Sequence, residues 1–169
     1  MRWIVGAAAA LVFLSSCASD RIDPDNSRHR ELAQSYLLDN RLQDCRDQLD
    51  LALALVPDDQ RVLFLKATLD FVNGDLAAAR QTWTDLTRVV DDERLRSRVE
   101  TGLAFTALAQ GDLTSAERHL TIALDLDSLN RTALETLKAT QRIEKRQQPI
   151  AVGSDLIESN AIRDLVSGI

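Results

Sequence analysis

A spacing that recurs three times constrains the fold of this chain more than any other feature. In each copy a residue suited to a turn is followed, at gaps of five, four, three and five residues, by three small or apolar residues and a loop residue. The copies begin 34 and then 37 residues apart. They are Asn40, Cys45, Leu49, Ala52, Pro57; Gly74, Ala79, Trp83, Leu86, Asp91; and Gly111, Ala116, Leu120, Ala123, Ser128.

The chemistry of these positions predicts pairs of antiparallel helices. Gaps of three and four residues place side chains on one face of a helix. Gly74 and Gly111 tolerate the backbone angles that sharp turns between helices need. A small residue then lies where the two helices come close, and a larger one fills the space beside it. Pro57 lies where a helix should end, because proline cannot continue one. We therefore predict an all-α repeat protein.

The 34-residue period with this spacing resembles the tetratricopeptide repeat. Leu32-Ala33 with Tyr36, and Leu103-Ala104, agree with the large–small pair of that family's first helix, whereas Lys66-Ala67 keeps only the small member. The resemblance covers about residues 26–130. It implies a right-handed superhelical array of about three helix pairs. We predict that Val90–Arg96 holds the three extra residues of the longer interval as a charged turn.

The part of the chain after the three repeats is predicted to close the array. Repeat arrays need a polar end that covers their last apolar face, and we expect residues 131–147 to form this capping helix, with Leu134, Leu137 and Ile143 on its apolar side. The repeat domain would then span 28–147. Residues 148–169 are expected to form a linker and an amphipathic tail.

The first residues have the pattern of an export signal. Arg2 precedes an apolar run of about eleven residues, short of the roughly 20 that span a bilayer. Leu14-Ser15-Ser16-Cys17 resembles the lipobox of bacterial lipoproteins. That implies cleavage of residues 1–16, lipidation of Cys17 and a polar tether over 17–27. Ala18 after the cysteine implies sorting to the outer membrane, facing the periplasm. The alternative is an ordinary signal peptide with an incidental cysteine.

Charge and residue types exclude several functions. The mature chain would carry 19 basic and 26 acidic residues, which argues against nucleic-acid binding. With Cys17 lipidated, Cys45 could form no intramolecular disulfide. We expect it to be a buried thiol, and a reactive thiol is the alternative. His29 and His119 have no partners at metal-ligand spacing, and His119 is expected on an outer helix face. We expect no enzyme activity, metal or cofactor other than the covalent lipid.

The family resemblance also implies a binding surface. In tetratricopeptide arrays the first helix of each pair lines a concave groove. Three phenylalanines flanked by arginines, among them Arg61, would suit an apolar or amphipathic partner segment. Two alternatives remain: the aromatic residues pack between helices, or the tail of the chain itself fills the groove. The expected groove residues are Arg30, Gln34, Leu37, Leu38, Phe64, Thr68, Phe71, Val72, Arg98, Thr101, Phe105 and Leu108.

Anchor, length and repeat together resemble the pilotins, the small lipoproteins of type IV and tight-adherence pilus systems. The resemblance implies a scaffold that binds a secretin subunit and assists its assembly in the outer membrane. Alternatives are a scaffold for peptidoglycan enzymes or outer-membrane assembly, an enzyme accessory, and a structural homo-oligomer in which the tail of one copy docks into another.

Overall fold

A computed structural model describes residues 24–146 and 159–167, and every regular element in these two ranges is an α-helix. The all-α prediction is confirmed for this part of the chain. The expected signal peptide, Cys17, most of the tether and the linker lie outside the described residues. The helices are α1 Pro24–Leu38, α2 Leu42–Leu55, α3 Gln60–Val72, α4 Leu76–Val89, α5 Glu93–Ala109, α6 Leu113–Leu126, α7 Arg131–Arg146 and α8 Ser159–Val166.

Three short turns of the same design join α1 to α2, α3 to α4 and α5 to α6. Each contains a left-handed residue, Asn40 (φ 57°), Gly74 (φ 84°) or Gly111 (φ 79°), as the sequence spacing predicts. In each, the next amide donates to a carbonyl five residues back, from Arg41 to Tyr36, Asp75 to Asp70 and Asp112 to Ala107. These bonds satisfy carbonyls that the helix end leaves unpaired. Turns this short make the two helices of a pair antiparallel.

The second helix of each pair buries the residues of the repeated spacing. The buried residues of α2, α4 and α6 are the nine small and apolar ones singled out above. Each is at most 1% exposed. Neighbouring pairs are held together because α2 packs on α3 and α4 on α5, and the first helices α1, α3 and α5 also contact one another. One continuous core therefore runs through the stacked pairs.

The central helix α5 is longer than expected at its start. It begins at Glu93, so only 90–92 connect it to α4, and the prediction of a charged turn over Val90–Arg96 is wrong. The side chain of Asp92, the residue just before the helix, accepts hydrogen bonds from the amides of Arg94 and Leu95 and so caps its amino end. Leu95 is buried, and its packing holds the added turn against the core.

An aromatic cluster joins the second and third pairs. The Trp83 ring on α4 lies 6.3 Å from the Phe64 ring and 5.9 Å from the Phe71 ring, centroid to centroid. Phe105 on α5 adds a further contact, 6.2 Å from Phe71. A Cβ added at Gly102 would lie 2.5 Å from a carbon of the Trp83 ring. Gly102 therefore allows the ring to lie directly against the backbone of α5.

Helix α7 covers the end of the array, but the predicted apolar side is only part of the covered face: Leu137 and Ile143 are half-buried, and Leu134 is not. Its buried residues include Thr132, Ala133, Thr136 and Thr140, whereas Leu134 is 38% exposed. Ala133 packs with Ala104, Leu120 and Ala123 in a second, smaller core. The hydroxyls of Thr136 and Thr140 donate to carbonyls one turn earlier, which removes the cost of burying them. Small residues are favoured on this face because α7 lies close to α6.

The first helix also starts earlier than the expected domain boundary at residue 28. Pro24 is its first residue, a position where the missing N–H of proline costs nothing. Asn26 is buried and donates to Asp59 at 2.6 Å, and Asp59 also caps α3 through the amides of Arg61 and Val62. The predicted tether therefore includes the first turn of a packed helix. Among the described residues, no helix combines the length and apolar character needed to cross a membrane.

We predict that Gly102→Ala destabilises the fold. Helix propensity alone would favour alanine by about 1 kcal/mol, but overpacking against a buried ring costs about 1–3 kcal/mol. We expect overpacking to dominate, because the added atom would lie within 2.8 Å of three ring carbons. Urea unfolding followed by tryptophan fluorescence measures the change. Ala77→Gly, at an exposed position of α4, reports the propensity effect alone. A more stable Gly102→Ala protein would show that the contact does not restrict this position.

Candidate functional site

Most of the residues expected to line a partner groove lie inside the core. Phe64 and Phe105 are 0% exposed and Phe71 is 9% exposed. The other buried members are Leu37, Thr68, Thr101 and Leu108, with Leu38 and Val72 partly buried. The hydroxyl of Thr68 donates to the carbonyl of Phe64, and that of Thr101 to the carbonyl of Ser97, so both are satisfied within their own helices.

The prediction that three phenylalanines form an accessible wall is therefore wrong, and they pack between helices instead. The reason is the neighbouring Trp83 ring, which contacts Phe64 and Phe71 and draws both into the contact between α3 and α4. Phe71 in turn contacts Phe105 across the boundary between the second and third pairs. Helix spacing places these phenylalanines on one face of α3 and α5. Both helices bury more than one face, so the spacing does not tell whether that face is exposed.

The expected basic flanks have separate roles. Arg30 lies 3.7 Å from the Asp59 carboxylate, in a largely buried ion pair that links α1 to the start of α3. Arg61 is exposed. Arg98 and Gln34, by contrast, both reach the last helix of the chain. Within the described residues, these two of the expected groove residues therefore hydrogen-bond a segment that lies on the surface of the repeat array.

The last helix, α8, lies across the first helices of the pairs. It contacts α3, α5 and α7, and it is hydrogen-bonded to α1 through Gln34. Leu165 and Val166 are 1% and 0% exposed and belong to the main core. Ala161 and Ile162 pack partly against the same core, whereas Arg163 and Asp164 face solvent. We call the surface of α1, α3, α5 and α7 under this helix the α8 site.

The α8 site binds the carboxyl end of α8 through its backbone. A helix leaves its last carbonyls without partners inside the helix. Here Gln34 Nε2 donates to the carbonyl of Val166 at 2.8 Å, and Arg98 Nη1 donates to those of Leu165 and Ser167. Ser167 itself satisfies the two preceding carbonyls, those of Arg163 and Asp164. Each carbonyl from Arg163 to Ser167 therefore has a donor.

The charge of Arg98 suits this role. The carbonyl end of a helix carries partial negative charge, so a cation beside it is stabilising. Burial lowers the pKa of the Arg98 guanidinium below its ordinary value, and the carboxylates of Asp127 and Asp92 act in the opposite direction. An arginine keeps its proton at neutral pH even so. The α8 site therefore places a partly desolvated cation where the helix ends.

A cavity of about 280 Å³ lies beside the end of α8. Arg98, Asn130, Arg131 and Thr132 line it from α5 and the start of α7, and Asp164 and Ser167 line it from α8. Asn130 is fixed there, because its amide nitrogen donates to the hydroxyls of Ser97 and Thr101 while its oxygen accepts from the amide of Ala133. The α8 segment thus leaves part of the available space unfilled.

The remaining reactive side chains form no comparable site. His119 is not isolated on an outer face as expected, because its Nδ1 lies 2.7 Å from Glu100 Oε2 on α5. No group of three or more metal-ligating side chains occurs in the described ranges. Cys45 is fully buried, as predicted, and burial raises the pKa of its thiol to about 12. The thiol is therefore protonated at neutral pH and a poor nucleophile.

Comparison with known proteins assigns no family: no family model, curated protein or solved structure matches the chain. The geometry of the α8 site therefore carries the functional argument. Sequence reasoning identified Gln34, Arg98 and the amphipathic tail separately. It gave occupation of the groove by the tail as one alternative, but it could not give the contacts themselves, because they use backbone carbonyls of the tail, which every residue has.

We predict that Arg98→Ala loosens α8 without unfolding the repeat pairs. Hydrogen bonds to a charged group contribute about 1.5–3 kcal/mol, so the local opening of α8 should become about 10- to 100-fold more frequent. Hydrogen exchange measured by mass spectrometry should show faster exchange in 159–167 and unchanged exchange in α2. Arg94→Ala, an exposed arginine one turn earlier on α5, is the control. Equal exchange of α8 in the two variants would contradict the assigned role of Arg98.

Proposed function

We propose that this chain is a lipid-anchored scaffold of the cell envelope that binds a helical segment of a partner protein at the α8 site. The observation that supports it best is α8 itself. The surface of α1, α3, α5 and α7 holds an amphipathic helix through buried aliphatic side chains and two side-chain donors. Seating an amphipathic helix against an apolar surface is a common way of recognising a peptide.

The proposed architecture is a tetratricopeptide array. The turn geometry, the buried repeat residues and the contacts between successive first helices all support it. In such an array the first helices line the inner surface, and these are the helices that α8 touches. We therefore propose this inner surface as the partner site, with contacts that differ from those expected from the family resemblance.

The anchor and the partner follow from the same resemblance. Lipid on Cys17 would hold the scaffold at the outer membrane, facing the periplasm, with six residues, 18–23, between the lipid and the first described helix. The partner we propose is an envelope protein, with a secretin subunit of a pilus or secretion system as the pilotin-like candidate. A structural homo-oligomer, in which the partner is another copy, is the competing function.

The anchor is tested by Cys17→Ala. We expect this variant to move from the membrane fraction to the soluble fraction on cell fractionation, because it removes the residue that would carry the lipid. Cys45→Ala is a matched control, since Cys45 is buried in the fold and should leave the membrane association intact. Membrane retention of the Cys17→Ala protein would exclude anchoring through this residue.

The scaffold function is tested by photocrosslinking in living cells. A benzophenone amino acid at position 131 replaces an exposed arginine that lines the cavity beside the end of α8, and the same group at position 43 replaces an exposed glutamine on α2. We expect position 131 to yield one specific adduct with an envelope protein, with the attached peptide mapping to an amphipathic helix. Position 43 should not yield it. Adducts with the chain's own copies alone would favour the homo-oligomer, and identical products at both positions would contradict the proposal.

A further inference from the structure

The contacts of α8 distinguish it from a structural end cap. Helix α7 already covers the end of the array, where Ala133 packs with Ala104, Leu120 and Ala123. Helix α8 instead lies along the side of the array, across α1, α3, α5 and α7. This is the surface to which the proposed function assigns the partner. The same surface cannot hold both helices at once.

The way α8 is held makes it replaceable by another helix. Gln34 and Arg98 donate to backbone carbonyls, which the end of any helix presents. Within 159–167, the side chains that pack on the core are those of Ala161, Ile162, Leu165 and Val166, and the residues between them face solvent. Selection at the α8 site therefore depends on an apolar pattern with gaps of one, three and one residues and on a helix that ends at Arg98.

Two further features favour the replacement of α8 by another helix. Eight residues are fewer than the 12 to 15 that an isolated helix needs to be even marginally stable in water, so α8 depends on its contacts with the site. The cavity of about 280 Å³ beside its last turn shows that α8 does not fill the site completely. A partner helix with bulkier residues at this end would make contacts that α8 does not.

We propose that α8 is an internal competitor: it occupies the partner's place, and a partner helix with the same apolar spacing and the same carboxyl end binds by displacing it. This inference rests on the proposed function. Twelve residues, 147–158, connect α8 to α7, and a segment tethered in this way competes at an effective concentration on the order of 1 mM. A partner that binds weakly is thereby excluded, and one that binds tightly, or is itself concentrated at the membrane, displaces α8.

The test uses a fluorescent peptide with the sequence of residues 155–169 as a stand-in for the partner helix. The full chain carrying Leu165→Ser and Val166→Ser loses the two buried anchors of α8 but keeps the α8 site. We expect it to bind the peptide at least tenfold more tightly than the unaltered chain, measured by fluorescence anisotropy. Arg163→Ser, an exposed position on α8, should behave like the unaltered chain, and a peptide carrying the two serines should not bind.

A second variant frees the α8 site without substitutions in α8, so that misfolding of the double variant cannot explain the result. A protease site inserted after Ile150 changes no residue of α8 or of the α8 site, and circular dichroism before and after cleavage reports the fold. After cleavage and dilution the native segment should leave, and the peptide should bind as it does to the double variant. Absence of saturable binding to both proteins would overturn the proposal. Equal binding by the unaltered chain would overturn it too.

Photocrosslinking separates this inference from the proposed function. If the chain with native α8 captures the envelope partner at position 131 as efficiently as the double variant does, the scaffold function stands and competition by α8 is wrong. If the peptide binds as expected but neither protein captures an envelope partner, competition by α8 stands and the scaffold function is wrong. Increased capture by the double variant supports both.

Discussion

The contact between Trp83 and Gly102 determines how the second and third helix pairs fit together. The ring belongs to α4, yet it lies against the backbone of α5, where a single added carbon would come within 2.5 Å of it. Phe64 and Phe71 enclose the ring from its own pair, and Phe105 extends the cluster into the next. Burial of each such side chain contributes about 1.5–3 kcal/mol. Because this cluster sets α3 beside α5, the α8 site is continuous across the boundary between the pairs.

Helix α5 is the structural centre of the molecule. It is buried on several sides, packing on α3, α4, α6 and α8, and the buried hydroxyls it carries are satisfied within the helix or by α6. Thr101 and Thr106 donate to their own helix, and Ser97 donates to the carbonyl of Ala123. Satisfied polar groups of this kind do not penalise burial. Arg98 belongs to this packed helix, so its backbone is fixed where α8 ends, and less freedom is lost when its side chain binds a helix end.

A surface that recognises a helix end through backbone groups has a particular functional consequence. The donors Gln34 and Arg98 impose direction and position on the bound helix, while the apolar contacts select its sequence. This separation of roles between donors and apolar contacts suits a scaffold that holds one segment of a larger protein. It also allows a segment of the same chain to occupy the α8 site. Membrane anchoring would raise the local concentration of any partner in the same membrane. The balance between α8 and the partner would then depend on assembly at the membrane.

The sequence by itself determined the helix pairs, their turns and the buried faces of α2, α4 and α6, because these follow from local rules. Asn40, Gly74 and Gly111 meet backbone requirements within a few residues, and the nine spaced residues form one stripe on each helix. Only the tertiary structure decided which faces of α3, α5 and α7 are covered. A helix buried on several sides has more than one apolar face, and only its neighbours distinguish them. The phenylalanines went to the core because Trp83 lies beside them, and Thr136 of α7 was buried because α6 lies close. The sequence left docking of the tail in the groove as one alternative among several, and the tertiary structure decided it, since it depends on Gln34 and Arg98 meeting backbone carbonyls that carry no sequence signal.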